Sequence, residues 1–400
     1  DLPLAGVRVI DFGHGGVGVE CGRILAEYGA DVIKVESWSY PDFIRIVLGG
    51  VMTASFASSN RSKRGFGADL KHPHGRDAVL QLVSGADIAI ENNSTGTMEA
   101  LGLGYQDLID VRPELIMVSS QLMGSRGEFS EWTGYGPTLQ TVGGLSWLWA
   151  FDDDDPPPGS TAIHPDHLAG RVCAVFALAG FLGRSRGGGG NHTEVAQVDA
   201  LLGTLGDLLL KEGLEPGSVR PRGNDSPRGA PWGVFRCAGE EEWCVISVRD
   251  DKDWTALVEL MGRPEGSETA ELSAAAGRIK QRDLVNSIVC TWVSSQTALE
   301  VEKKCQAHGV PAGRVLSAFD QMKDVHLLDR GFIVEIEQPG VGAIVLEGPC
   351  ITGSKMGQPT ISSAPLLGEH TQEICLEELG MSLEQLEDLL ASGALERLTP

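Results

Sequence analysis

A glycine-rich turn, a basic cluster and one aspartate between two histidines are the segments of this chain whose residue types can carry chemistry. Gly13-His14-Gly15-Gly16-Val17-Gly18 fits G-x-G-x-x-G, follows a β-rich run at 7–12 and precedes a second run ending in Glu36. Glycines in that context let backbone approach a pyrophosphate, the following helix start stabilises the anion, and the acid binds a ribose, so one reading is NAD or FAD binding. In a chain with 52 glycines the same turn also reads as a plain strand-to-helix connection. Asn60-Arg61-Ser62-Lys63-Arg64, with Lys71 beyond it and Arg45 before it, offers positive charge for phosphates. His164-Pro165-Asp166-His167 fits no common metal-ligand spacing, so no metal is expected there. Asp166 stands before an apolar stretch, where an aspartate is a preferred helix cap and where a helix start also stabilises an anion.

The background against which these segments act is acidic. The formal charge is −23, from 55 acids and 32 bases, which argues against nucleic-acid or membrane-surface binding but not against a phosphorylated ligand met by a local basic patch. The 42% apolar and 22% charged fractions are those of a globular protein with enough length for two or three domains. Eight scattered cysteines without a CxxC pair read as reduced, buried thiols. No charged-then-apolar leader and no unbroken apolar run of about 18 residues is present, so a cytoplasmic protein is expected.

The elements that must position the candidate residues follow from periodicity. Strands are predicted at 7–12, 30–36, 86–90 and 115–119, with helices at 19–28 and 74–84 between them. That alternation implies an α/β fold with a doubly wound parallel sheet. Residues 151–159 read as a surface loop, 167–183 as a helix apolar enough all round to be buried, and 196–212 as another helix. Pro, Gly, Arg, Asn and Ser dominate 214–231, which is linker chemistry. A strand near 242–248 and helices near 252–262 and 281–305 suggest a smaller α+β domain at 232–325. Ser382-Leu383-Glu384-Gln385 is a capping box opening a C-terminal helix.

Gly29-Ala30-Asp31-Val32-Ile33-Lys34-Val35-Glu36 resembles a signature of the class III CoA-transferases (CaiB/BaiF type), the family of carnitine CoA-transferase, formyl-CoA transferase and the α-methylacyl-CoA racemases. Further blocks resemble the family in order: Asn60–Arg64 with Asp69-Leu70-Lys71, Ala86-Asp87 through Glu91-Asn92, Leu101-Gly102-Leu103-Gly104-Tyr105, His164–Gly170, Gly309–Gly313 and Ala364–Thr371. The resemblance implies a Rossmann-like large domain built from both chain ends (1–213 and 326–400), a linker at 214–231, a small domain at 232–325, and an interlocked homodimer.

The resemblance also implies an enzyme that moves coenzyme A from an acyl-CoA to a carboxylic acid acceptor, with no tightly bound cofactor and the CoA thioester as substrate. By family position Asp166 is the nucleophile, acting through a mixed anhydride and an aspartyl-CoA thioester; a carboxylate is ionised at neutral pH without help. Arg45, Arg61, Lys63, Arg64, Lys71 and Asn92 are the CoA-binding candidates, and Tyr135, Gln140 and His164 the acyl-pocket candidates. An acyl-CoA racemase is the first alternative and the NAD- or FAD-dependent oxidoreductase the second. Two departures stand out: Ser94 replaces the family arginine after Glu91-Asn92, and Tyr135 stands where the racemases carry their histidine base. Tyrosine, with an ordinary pKa near 10, is a poor base for an α-proton, which favours transfer.

Overall fold

The computed structural model of the chain describes residues 2–47, 52–151, 156–159 and 163–398. Twelve strands are described: β1 (Arg8–Asp11), β2 (Asp31–Glu36), β3 (Arg64–Ala68), β4 (Ile88–Glu91), β5 (Ile116–Ser119), β6 (Asn191–Glu194), β7 (Trp232–Arg236), β8 (Trp243–Ser247), β9 (Ala312–Arg314), β10 (Ile333–Gln338), β11 (Gly342–Glu347) and β12 (Leu395–Glu396). The chain divides into two compact units, one of residues 1–146, 159–216 and 326–400, the other of 147–158 and 217–325.

The first unit is organised by a seven-stranded sheet ordered β12-β3-β2-β1-β4-β5-β6. Six strands are parallel, and β12 closes one edge antiparallel to β3, with Leu395 opposite Ala68. Alternation along each strand divides its side chains between two faces. Ile10, Ile33, Val35 and Ala89 pack on one face against Ala78, Val79, Leu82 and Val83 of α2 (Pro73–Ser84), together with Ile374, Cys375 and Leu386 from the chain's last part. Val9, Val32, Ile88 and Ile90 pack on the other face against Leu25 of α1 (Val17–Glu27) and Ala169, Cys173 and Ala177 of α4 (His164–Ser185). A shorter helix, α3 (Gly136–Val142), packs on α4. Each fully buried Val, Leu or Ile in these layers contributes roughly 1.5–3 kcal/mol of transfer free energy.

Chain order reverses between β1 and β4, since β2 follows β1 on one side and β4 lies on the other. In an open α/β sheet the crevice beyond the carboxyl ends of the strands at such a reversal is where a ligand fits. The Gly13–Gly18 turn leaves β1 at that point, and Asn92 leaves β4 beside it.

One expectation from the sequence is corrected here. The helix predicted at 167–183 is not buried all round: α4 buries Asp166, Ala169, Cys173 and Ala177, but Val175, Phe176 and Leu182 are exposed. The apolar residues encircle the helix, whereas one face of it meets the sheet. Among the described residues α4 is the one helix long and apolar enough to cross a membrane, by length and composition only.

The second unit has its own core. Its three strands form an antiparallel sheet ordered β7-β8-β9, against which α6 (Asp251–Leu260), α7 (Arg282–Val293) and α8 (Ala298–Ala307) bury Trp254, Leu257, Val285, Val289, Val293 and Val301. In the first unit, α5 (Gly206–Leu214) leaves Leu209, Leu210 and Leu214 exposed, and α9 (Leu383–Ala391) opens with the expected capping box on Ser382.

Candidate active site

Asp166 sits in the first turn of α4, two residues into the helix and 7% exposed. It does not cap that helix: the cap position is Ile163, whose carbonyl accepts from the Asp166 N–H at 3.0 Å. The carboxylate is instead wedged between two glycines of other segments. A Cβ built on Gly16 would lie 2.8 Å from both Cβ and Oδ2 of Asp166, and one on Gly136 would lie 2.8 Å from Oδ2. The Gly136 N–H donates to the carboxylate, while Oδ1 has no hydrogen-bond partner among the described residues.

Burial pushes the Asp166 carboxyl up to about 6, against the opposing pull of His167 and the Gly136 N–H. A desolvated carboxylate with one unpaired oxygen is a stronger base and nucleophile than a hydrated one. The glycine at 16 is therefore required by close approach. A Gly16→Ala variant is expected to fold and to displace Asp166, lowering turnover by at least about 100-fold, as misplacement of a reacting group by about 1 Å does. Steady-state kinetics beside a thermal melt would check it; a fully active Gly16→Ala protein would contradict it.

The turn that carries Gly16 is held on its backbone by buried side chains. Asp11 Oδ1 accepts from the Gly13 N–H at 2.8 Å, and Lys34 Nζ donates to the Gly13 carbonyl at 2.6 Å. Asn92 accepts from the His14 N–H at 2.8 Å and donates to its carbonyl at 2.9 Å. Asp42 accepts from the Gly15 N–H at 3.0 Å. Beneath the turn, Lys63 pairs with Asp11 at 2.7 Å and Lys34 with Asp42 at 3.1 Å, all four essentially without exposure. A loop with this many satisfied groups is a rigid wall for the site.

The CoA-binding candidates therefore have varied surroundings. Arg45 is buried and grips Glu36 through Nε at 2.7 Å and a terminal nitrogen at 2.8 Å. Arg61, fully buried, meets Glu27 at 2.6 Å and Glu347 at 2.9 Å. Lys63 pairs with the buried Asp11, so these three cations point inward to carboxylates. Arg64 is partly exposed and paired with Asp31 at 2.6 Å and with Glu378. Lys71 is exposed, and Asn92 holds the His14 backbone. The dinucleotide reading is corrected by the same geometry: Glu36, the acid it assigned to a ribose, is 5% exposed and occupied by Arg45.

The acyl-pocket candidates separate. Tyr135 is 63% exposed, its ring 4.8 Å from that of Phe43. Gln140 lies one turn further along α3, is fully buried, and neither of its amide atoms has a hydrogen-bond partner among the described residues. His164 is exposed at the start of α4. Among the described residues no three His, Cys, Asp or Glu side chains are grouped to hold a metal ion. Reasoning from sequence missed Asp11, Lys34 and Asp42, and it missed that Gly16 lies against Asp166. The available signal was the charged positions Asp11 and Lys34 inside otherwise apolar strands.

Comparison with known proteins was made on this geometry. The model of the family described as CoA-transferase family III matches residues 4–371. A probable CoA-transferase of Mycobacterium tuberculosis is 32% identical over 399 residues, covering 97% of this chain; the chain spans only 50% of that relative's length. The succinyl-CoA–L-malate CoA-transferase beta subunit of Chloroflexus aurantiacus is 31% identical over 401 residues, covering 97% of each chain. The crystal structure of a CAIB/BAIF family protein from Brucella suis superposes with a TM-score of 0.85 at 27% identity, over 94% of this chain and 99% of that one.

Proposed function

Because the chain belongs to the CoA-transferase family III, we propose that it transfers CoA from an acyl-CoA to a carboxylic acid, with Asp166 as the covalent nucleophile. The observation that carries this reading is the Asp166 carboxylate itself: buried, raised to about 6, wedged between Gly16 and Gly136, with Oδ1 unpaired among the described residues. At pH 7 such a group is mostly ionised, yet it lacks the hydration shell that would blunt attack.

In the first step a carboxylate oxygen of Asp166 attacks the thioester carbonyl, the C–S bond breaks, and CoA leaves as thiolate, giving a mixed anhydride. The thiolate then attacks the aspartyl carbonyl of that anhydride. Its C–O bond breaks, the donor acid departs as carboxylate, and Asp166 becomes the CoA thioester. The acceptor carboxylate attacks this thioester, and the same two steps run in reverse. No net proton is consumed. The Gly136 N–H, which donates to Asp166, supports a role in stabilising negative charge that develops on the aspartyl oxygen.

A relative named for succinyl-CoA–L-malate transfer makes small dicarboxylic acids the first acceptors to try. Exposed Val175, Phe176 and Leu182 on α4 and Leu209, Leu210 and Leu214 on α5 support a homodimer that covers these apolar residues. Eight free cysteines suit a reducing, cytoplasmic setting. Incubation with an acyl-CoA followed by hydroxylamine and peptide mass spectrometry is expected to yield the hydroxamate at Asp166. An active enzyme whose Asp166 peptide stays unmodified would overturn the assignment.

A further inference from the structure

Arg61 and Lys63 of the basic cluster are committed to carboxylates, but the second unit holds cations that are not. A cavity of about 390 Å³ in that unit is lined by Arg222, Pro227, Ile279, Lys280, Arg282 and Asp283. The volume lies in the range of small-molecule pockets. In a chain of formal charge −23, three cations against one acid on a single cavity is a local reversal of sign. The sequence gave the arginines of 214–231 no task beyond that of a linker.

The walls of this cavity are fixed by contacts of their own. The Asp225 N–H donates to the Arg222 carbonyl at 2.9 Å, which closes a turn over 222–225. Arg282 ties that turn to the start of α7: one terminal nitrogen meets Asp225 Oδ2 at 3.0 Å, and the other donates to the Ser226 carbonyl, 56 residues away in the chain. Ile279 and Lys280 end the helix Ala275–Lys280, and Arg282 and Asp283 are the first two residues of α7. Other arginines of this unit are matched by acids: Arg249 by Asp253, Arg263 by Glu259 and Glu268, Arg278 by Asp251 and Arg314 by Glu302. Among the described residues the exposed Arg222 and Lys280 make no such ion pair. Asp225 offsets Arg282, so Arg222 and Lys280 stand against Asp283 alone, and positive charge is left over.

We propose that this cavity binds the phosphate groups of an organic phosphate through Arg222 and Lys280. A guanidinium gives a phosphate two parallel N–H donors, and an ammonium gives it a compact charge. Ile279 and Pro227 add apolar wall for an organic part, which inorganic phosphate lacks. Two sources carry this chemistry, the diphosphate of CoA itself and a free nucleotide. The site stands whether or not Asp166 is the nucleophile.

Titration calorimetry of the full chain with ADP is the test. Saturable binding below about 1 mM is expected, weakening as salt is added. Arg222→Glu and Lys280→Glu are each expected to weaken it at least about 10-fold, and Asp283→Asn to tighten it about 2- to 5-fold. Lys303→Glu, the same charge change on α8 outside the cavity, is expected to bind as wild type does. No saturable binding, cavity variants that bind like wild type, or an equal loss in Lys303→Glu overturns the proposal. Repeating the titration with CoA at saturation separates the two sources. If the phosphates of CoA occupy the cavity, ADP is excluded, and Lys280→Glu raises the KM for acyl-CoA about 10-fold with kcat kept. If a free nucleotide occupies it, ADP and CoA bind together and that KM is unchanged. Exclusion of ADP with an unchanged KM also overturns the assignment.

Discussion

Asp166→Asn is expected to abolish CoA transfer and, at neutral pH, to give the more stable protein. The folded-state pKa of Asp166 is raised from 3.8 to about 6, so the folded chain prefers the neutral side chain. Stability from that preference is fully present below pH 3.8, the unfolded value, and is lost as pH rises through about 6. At pH 7.5 the ionised carboxylate therefore costs about 3 kcal/mol, from 1.36 kcal/mol per pKa unit. Asparagine has nearly the same shape without the charge and relieves most of that cost. Calorimetry at pH 7.5 should show a transition several degrees above wild type, and the gap should shrink towards zero near pH 4. Equal transitions at pH 7.5 would mean that Asp166 is not strained by burial. A variant retaining transfer would remove it as nucleophile.

Asp11→Ala is expected to act in the opposite direction. It removes the partner of Lys63 at 2.7 Å in a place where neither side chain has exposure, and it also orphans the Gly13 N–H. Burial already pushes the Lys63 ammonium below its ordinary range, with Lys34 nearby adding repulsion, even while Asp11 opposes both. Losing one member of a buried pair costs about 3–5 kcal/mol, because the remaining charge stays desolvated. Urea titration should register that loss. The double change Asp11→Leu with Lys63→Met should recover the part due to the stranded charge, while the Gly13 N–H stays without its acceptor. If the single variant is as stable as wild type, the pair is not the support of the glycine turn described above.

The fold class was legible because parallel strands buried on both faces appear as continuous β-rich runs, as at 7–12 and 30–36. β3 was not legible. Its sequence, Arg-Gly-Phe-Gly-Ala, has weak strand propensity and read as the tail of a basic cluster. Its glycines are explained only by partners far along the chain: a Cβ on Gly65 would lie 2.8 Å from the Leu366 carbonyl oxygen, and one on Gly67 would strike that of Glu396. The cluster shows the same limit. Sequence reveals that Arg61 and Lys63 are cationic, but their direction is set by Glu27 and Asp11, 34 and 52 residues away. The site was legible as two separate segments, the Gly13–Gly18 turn and the Asp166 block. That Gly16 forms a wall against Asp166 depends on how α1 packs on α4, which neither segment encodes alone.

The edge strand β12 has a bearing on the order in which the polypeptide can be made and fold. Ser37, at the end of β2, donates to Glu396 across 359 residues of chain, and the core beside α2 takes Ile374, Cys375 and Leu386 from the same late stretch. A ribosome must therefore have made every residue up to Glu396 before the seven-stranded sheet can be completed. The α6–α8 unit has its residues available earlier and closes its core without them. During synthesis the smaller unit is placed to fold first, while the larger waits with unpaired β3 edge and uncovered apolar surface, the period in which a nascent chain most needs a chaperone.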